Sequence, residues 1–268
     1  MNGYKRIDRY TFFSILIVWC MGVFCGCAKV PENTVYSVED LKGKNIGVQL
    51  KTTGDIYASE IEGATVLRFN KAADAVFALQ EGEIDAVMLD DGPAKVFVEQ
   101  NEGIRILEEV YAEEEYGIVV KKGNQELLDK INEALETIQE NGTLDAITQN
   151  WIYEGASTSN YKGQNKESYA NGKLVVATNA EFPPYESVVD GEVVGYDIDL
   201  MRAICDVLDM ELVVENIAFD SIISSVDRGI ADVGATGMSI TEARLEQVDF
   251  SKPYTTAKQV IIVRDNEK

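Results

Sequence analysis

The chain contains no histidine, and this absence excludes several kinds of site. It rules out Ser-His-Asp triads and histidine proton shuttles, and it removes the usual ligand of zinc. Cysteine is also scarce, with 4 in 268 residues. Cys205 stands alone on a predicted helix, so we interpret it as a small core residue and expect no disulfide framework. These absences favour a binding protein over an enzyme, and we expect neither a metal nor another cofactor.

Basic residues are few compared with acidic ones. The chain has 24 lysines and arginines against 46 aspartates and glutamates, and its formal net charge is −22. A surface this acidic repels phosphate backbones and anionic lipid headgroups. We therefore expect no nucleic-acid partner and no membrane binding through charge.

An uncharged, largely apolar segment, residues 11–25, lies close to the start of the chain. It is short for a membrane span, and basic residues precede it (Lys5, Arg6, Arg9), as in an export signal. The segment ends in Phe24-Cys25-Gly26-Cys27, which resembles a bacterial lipobox with Cys27 as the lipidated residue, although Phe24 and Cys25 depart from that pattern. We predict a signal over residues 1–27 and a lipoprotein held outside the cytoplasm on the cell membrane. An uncleaved anchor helix is the alternative.

From Leu41 onward the pattern alternates between strands and helices. Strands are predicted at 45–50, 65–69, 84–89 and 104–107, with helices between them at 54–61, 71–80 and 92–100. This rhythm predicts an α/β fold with a mostly parallel sheet covered on both faces, in which ligands lie beyond the carboxyl ends of the strands. Two such ends carry polar residues, namely Thr52 and Thr53 after the first strand and Asp90 after the third. Asp90 could instead be the N-cap of the following helix.

The stretch from Gly237 to Tyr254 is the most distinctive part of the sequence. An apolar run at 230–236 leads into a small-residue turn, and Thr241-Glu-Ala-Arg244 then begins a short helix. This arrangement brings the N–H of Ser239, two hydroxyl groups and the guanidinium of Arg244 towards one point, which suits a carboxylate. A surface turn with a solvated arginine is the alternative.

This stretch, with its Thr-x-x-Arg step and its Val-Asp-Phe-Ser-x-Pro-Tyr tail, resembles the family 3 extracellular solute-binding proteins of ABC amino-acid importers. Residues 173–186 and 195–208 resemble the opening and the signature of the same family. The resemblance implies a two-lobe periplasmic-binding-protein fold of type 2 with the ligand in the cleft between the lobes. It also implies a free amino acid as ligand, hinge closure around it, and ABC permease subunits as partners.

The resemblance further implies roles for individual residues. The ligand carboxylate is assigned to Arg244, Ser239, Thr52 and Thr53, and the ligand ammonium to Asp90, Gly237 and Ser239. The side-chain pocket is assigned to Asn179, Phe182, Glu186, Phe219 and Thr241. Because binders of cationic amino acids often have Asp where Asn179 stands, we expect a polar, uncharged ligand such as glutamine, although Glu186 could partly restore that charge. Lys51 stands where the family usually has glycine.

The order of the segments is unusual for this family. The polar stretch 155–172 is predicted to be a linker, and the apolar run after Lys258 breaks off where the usual order continues into a segment like 37–49. We therefore predict a circular permutation, with lobe 2 built from 30–111 plus 258–268 and lobe 1 from 117–257. The hinges are then expected near 112–116 and 254–258. A decayed tandem array, whose halves pair with different neighbours, is the alternative.

Two other functions stay open at this point. A cyclohexadienyl-dehydratase-like enzyme on the same fold would need Glu181 or Glu186 as its acid. A sensor or partner-binding lipoprotein without a transport role would have lost its ligand, and would tolerate Arg244→Ala.

Overall fold

The computed structural model describes residues 30–164 and 166–266. The predicted export signal and Cys27 lie outside these residues. Among the described helices, none is both long and apolar enough to cross a membrane.

The described residues alternate between strands and helices. The strands are β1 (Asn45–Gln49), β2 (Thr65–Phe69), β3 (Ala86–Asp90), β4 (Ile104–Ile106), β5 (Ala112–Tyr116), β6 (Val119–Lys121), β7 (Lys173–Thr178), β8 (Glu181–Phe182), β9 (Glu186–Val189), β10 (Glu192–Val194), β11 (Glu211–Asn216), β12 (Val233–Gly234), β13 (Val248–Phe250) and β14 (Thr255–Arg264). The α-helices are α1 (Thr53–Glu60), α2 (Ala72–Gln80), α3 (Asp91–Gln100), α4 (Gln125–Glu140), α5 (Thr143–Thr148), α6 (Tyr196–Leu208), α7 (Ile222–Asp227) and α8 (Glu242–Leu245). After α5 the chain continues as a π-helical turn at Gln149–Tyr153.

The first sheet has the strand order β2-β1-β3-β14-β4, and β5 also pairs with β14. β1 is parallel to β2 and β3, whereas β14 is antiparallel to β3, β4 and β5. Every residue of β3 is buried, as expected for a strand covered on both faces. The final strand of the chain therefore lies in the same sheet as the first one.

The second sheet has the strand order β11-β7-β12-β6-β13. β7 is parallel to β11 and β12, and β6 is antiparallel to β12 and β13. Helix α4 packs beside α6 and buries one stripe at helical spacing, formed by Ile131, Ala134, Leu135 and Ile138. A small antiparallel sheet, β10-β9-β8, lies apart from both larger sheets. The α/β class predicted from the sequence is confirmed.

The chain passes between the two larger sheets twice, once from β5 to β6 and once from β13 to β14. The two crossings lie side by side, because the N–H of Tyr254 donates to the carbonyl of Tyr116 (3.0 Å) and the N–H of Ser251 donates to that of Ile118 (2.9 Å). Both crossings consist of residues at or between strand ends, which is where domain hinges occur.

The described part of the stretch 155–172 is held against α6 and its end. The hydroxyl of Tyr161 and the N–H of Gln164 both donate to Asp206 Oδ2, at 2.7 and 2.9 Å. The ammonium of Lys166 contacts Asp209 Oδ1 at 2.6 Å. The stretch has no helix or strand, as predicted, but side-chain contacts fix its path.

The two ends of the described chain meet beside the first sheet. The N–H of Asn33 donates to Asn266 Oδ1 (2.7 Å), and Nε of Arg264 donates to the carbonyl of Pro31 (2.8 Å). Arg264 and Asn33 are buried at this junction, whereas Pro31 and Asn266 are exposed.

Candidate ligand-binding site

A pocket lies between the two larger sheets, where the strand ends of one face those of the other. One wall comes from the ends of β1 and β3 and the start of α1, and the other comes from the end of β7 and the loop between β12 and α8. The residues that line it are Gln49, Thr52, Thr53, Asp90, Asn179, Phe182, Phe219, Gly237, Ser239 and Arg244. Most of the residues predicted for the site therefore lie around one pocket.

Arg244 is fixed by the short helix that carries it. Thr241 is the N-cap of α8, and its hydroxyl oxygen accepts the N–H of Arg244 at 3.3 Å. The guanidinium is buried; its Nη1 donates to the carbonyl of Ser239 (2.7 Å) and its Nη2 donates to that of Lys51 on the opposite wall (3.0 Å). It also stands 5.6 Å from the ring centre of Phe219, in a cation–π contact. Burial lowers the pKa of Arg244, and the nearby acidic groups oppose that shift.

Asp90 ends β3 and is directed at the same pocket. It occupies the N-cap position of α3, but its side chain makes no capping hydrogen bond, so the alternative interpretation does not account for the carboxylate. The hydroxyl of Tyr116 donates to its Oδ1 at 2.7 Å. Burial, with the charge of Glu114 as the next cause, raises the pKa of Asp90 to about 7.

Glu114 is a buried acid of this region that the sequence analysis missed. Its Oε2 accepts hydrogen bonds from Thr53 Oγ1 (3.0 Å), Ser239 Oγ (2.8 Å) and Gln259 Nε2 (3.2 Å). The hydroxyl groups of Thr53 and Ser239, two of those expected to face the ligand, are thus directed at Glu114. The signal that could have revealed it is the period of a strand, because alternate residues of β5 point inward and Glu114 is the middle one of three glutamates.

The opposite end of the pocket is lined by amide and aromatic groups. Nε2 of Gln49 donates to Asn179 Oδ1 across the pocket at 3.0 Å, and Asn179 Nδ2 donates to the carbonyl of Ile217 at 3.0 Å. Gln49 was not predicted, although its position at the carboxyl end of β1 is a signal that could have identified it. Phe182 packs against Gly237, whose φ is +53°, and a Cβ there would come within 2.7 Å of that ring. Glycine is therefore required at this position.

Glu186 and Thr241, both predicted for the side-chain pocket, do not line it. Glu186 is fully buried behind the loop; it accepts the hydroxyl of Thr236 (2.6 Å) and hydrogen-bonds with Asp197. Its side chain points from β9 into the interior, so it cannot supply charge to a ligand side chain. Thr241 is occupied in capping α8. Glu181 lies at the surface in an ion pair with Lys71 (2.7 Å).

Metal coordination has no candidate in the described part of the chain. Within residues 30–164 and 166–266, no group of three or more cysteine, aspartate or glutamate side chains is arranged to hold a metal ion.

The family model of the bacterial extracellular solute-binding proteins, family 3, matches residues 33–154 and 174–268. The chain belongs to this family. This membership confirms the predicted family.

Individual relatives match only part of the chain. The L-cystine-binding protein TcyJ of Escherichia coli (strain K12) is 31% identical over 150 residues, which are 55% of this chain and 56% of that protein. The ABC transporter arginine-binding protein 1 of the same strain is 39% identical over 93 residues, 34% of this chain and 38% of that protein. The structure of an ancestral arginine-binding protein bound to arginine is 43% identical over 32% of this chain and 38% of that chain, with a TM-score of 0.31. The chain thus spans about half the length of the first of these curated relatives.

Proposed function

We propose that this protein is the extracytoplasmic substrate-binding component of an amino-acid ABC importer and that it binds a free amino acid between two lobes. The observation that carries this proposal is the position of Arg244 and Asp90, two buried groups of opposite charge that line one pocket. A free amino acid presents a carboxylate and an ammonium in close proximity and needs such a pair. The relatives described above are named for the amino acids they bind.

The carboxylate end of the ligand is assigned to Arg244, Ser239, Thr52 and Thr53. The guanidinium donates to two backbone carbonyls in this state. On binding, the ligand carboxylate would take the place of these carbonyls and form a bidentate ion pair with the guanidinium. Thr53 is the first residue of α1, so its N–H has no acceptor within the helix and is available to an anion. Each hydrogen bond to a charged group contributes about 1.5–3 kcal/mol once water is excluded.

The ammonium end is assigned to Asp90, Gly237 and Ser239. Asp90 supplies the negative charge. The backbone carbonyl of Gly237 and the hydroxyl oxygen of Ser239 supply neutral acceptors. The side chain of the ligand would then lie against Phe182, Phe219 and Asn179, with Gln49 as a further contact.

The pocket must open to admit an amino acid. Its present cavity has a volume of about 10 Å³, the space of about one water molecule. Contacts across the cleft hold it in this state, including Gln49 with Asn179 and Lys71 with Glu181. We infer that lobe 2 (30–111 plus 258–268) and lobe 1 (117–257) part by bending at 112–116 and 254–258, where the paired crossings lie.

The order of the lobes supports a circular permutation. β14, at the far end of the chain, pairs with β3, and Asn33 hydrogen-bonds Asn266 where the described ends meet. A permuted chain would need a connector between the former ends, and the stretch 155–172 is the proposed connector. Loop sites of this kind tolerate permutation, because little buried backbone is disturbed there.

The ligand is proposed to be a polar amino acid, with an uncharged side chain favoured. Gln49 and Asn179 offer amide groups at the side-chain end, whereas Asp90 is the one acidic residue among the described residues that line the pocket. Glu186, which could have favoured a cationic side chain, is directed elsewhere. Two further parts complete the proposal. Lipid anchoring at Cys27 rests on the lipobox-like sequence 24–27, and docking to permease subunits rests on the family resemblance.

A thermal-shift screen of the free amino acids tests this function. A ligand at about 100 times its Kd adds about 2.7 kcal/mol of stability, which raises Tm by several degrees. Arg244→Ala and Asp90→Ala should abolish the shift, and Glu115→Gln, which removes one exposed charge close to the site, should keep it. If no amino acid raises Tm, or if Arg244→Ala responds like the wild type, the proposed function is wrong and a sensor or partner-binding role takes its place.

A further inference from the structure

Asp90 and Glu114 lie on the two strands that flank β14. Asp90 pairs with Gln259 across the β3–β14 ladder, and Glu114 pairs with Ala257 across the β5–β14 ladder. Residues 257 and 259 share one face of β14, so both carboxyl groups project to the same side of the sheet. Gln259 lies between them and donates to Glu114 Oε2 at 3.2 Å.

The surroundings of this pair contain little positive charge. The charged or titratable groups that face Asp90 from the elements packed around it are Glu114 and Tyr116 on β5, Arg244 on α8, Tyr57 on α1 and Tyr185 between β8 and β9. Arg244 is the one cation among these groups, and backbone carbonyls occupy both of its terminal nitrogens. Two buried carboxylates are thus matched by one guanidinium that is already engaged.

Glu114 is held in place more firmly than Asp90. Three donors converge on its Oε2, from Thr53, Ser239 and Gln259, and its buried Oε1 has no hydrogen-bond partner in the described structure. Asp90 receives the hydroxyl of Tyr116, and burial together with the charge of Glu114 raises its pKa to about 7. The surroundings of Asp90 therefore favour its protonated form.

We propose that Glu114 is a positioning residue of the amino-acid site, which makes capture of the ligand's ammonium by Asp90 displace one proton to solvent. This inference rests on the proposed function. In the closed pocket without ligand, Asp90 carries a proton beside Glu114. The incoming ammonium supplies the positive charge that the proton supplied, so Asp90 ionises and its proton passes to water, while the ligand carboxylate binds Arg244. No covalent bond other than the O–H bond of Asp90 changes.

The pH dependence of affinity tests this coupling. The ligand should keep a constant charge between about pH 5 and 8, as L-glutamine and L-arginine do. Because binding releases one proton, Kd should fall about tenfold for each unit by which pH rises towards about 7, and it should stay level at higher pH. In Glu114→Gln the pH at which Kd levels off should be lower, because the neighbouring charge that favours protonated Asp90 is gone while its burial remains. Glu115→Gln, the matched loss of charge from an exposed neighbour on the same strand, should behave like the wild type. Because the chain has no histidine, no imidazole titration overlaps the pH range in which Kd is measured.

A measurement without ligand keeps the inference testable if binding is weak. The ¹³C shift of the Asp90 carboxyl should titrate near pH 7 in the unliganded protein and at lower pH in Glu114→Gln. A wild-type titration near 3.8, or equal midpoints in the two proteins, overturns the inference. Binding with a flat pH profile also overturns it but leaves the proposed function standing, whereas failure of every amino acid to bind removes both.

Discussion

Glu186 and Asp197 form a buried carboxyl pair beneath the ligand-binding loop, and we expect this pair to make the stability of the protein depend on pH. Asp197 Oδ2 accepts the N–H of Gly237 at 2.6 Å and the hydroxyl of Tyr254 at 2.9 Å. The other oxygen of Asp197 and Oε2 of Glu186 have no other partner in the described residues, and the two groups hydrogen-bond each other. Neither residue is exposed to solvent.

The direction of the effect follows from these pKa shifts. Burial raises the pKa of Asp197 from 3.8 to about 7, and burial with the charge of Asp197 raises that of Glu186 well above its usual range. A carboxyl with a raised pKa binds its proton more tightly in the folded state, so its stabilising contribution is complete below the unfolded pKa and is lost as pH rises through the folded pKa. For Asp197 the window runs from 3.8 to about 7. At about 1.4 kcal/mol per pKa unit, the loss is on the order of 4 kcal/mol.

Asp197→Asn and Glu186→Gln separate this effect from a general loss of packing. In Asp197→Asn the new amide oxygen can still accept from Gly237 and Tyr254 but the side chain cannot ionise, so the free energy of unfolding of this variant should depend less on pH. Glu186→Gln keeps a donor to Asp197 but removes a carboxyl of raised pKa, so its slope should also be shallower than that of the parent. Asp90 has a pKa of about 7 as well, so all the proteins should carry Asp90→Asn to remove its separate contribution.

The assay is urea denaturation of these proteins between about pH 4 and pH 8, with the free energy of unfolding obtained by linear extrapolation. As pH rises, the free energy of unfolding of the Asp197→Asn protein should decrease by about 1.4 kcal/mol less per pH unit than that of its parent. A slope in Asp197→Asn equal to that of the parent would refute the reasoning, and so would an unchanged slope in Glu186→Gln.

Two further predictions concern the loop that carries the site. Gly237→Ala should destabilise the protein by about 1–3 kcal/mol, because φ is +53° and the new methyl group would meet Phe182; a shift in the urea midpoint measures this, and an unchanged midpoint contradicts it. Thr241→Ala should lower stability by about 1 kcal/mol and weaken amino-acid affinity, because α8 loses the cap that orients Arg244. Thr241→Ser, which retains the hydroxyl, should restore both values, and failure to do so would mean that the cap is not the cause.

The sequence by itself predicted the secondary structure and most residues of the site. Strand endings mark the carboxyl edge of a parallel sheet, so Thr52, Thr53 and Asp90 could be identified from local pattern. The turn and the helix start at 237–244 are also local, because an N-cap and a glycine with positive φ depend on residues only a few positions apart. For these features the neighbours along the chain determine the geometry.

The tertiary structure decided which partners each buried acid has. Glu186 was expected in the pocket, but it pairs with Asp197 on α6, and Glu114 was overlooked although Thr53, Ser239 and Gln259 all donate to it. The hydroxyl and amide groups that donate to these two glutamates lie between 50 and 145 residues away along the chain. Burial and a neighbouring charge raise a carboxyl pKa only when the folded chain excludes water and brings the second group close. Residue type and spacing therefore locate an acid on a strand, but only packing decides whether it faces a ligand, another acid or the solvent.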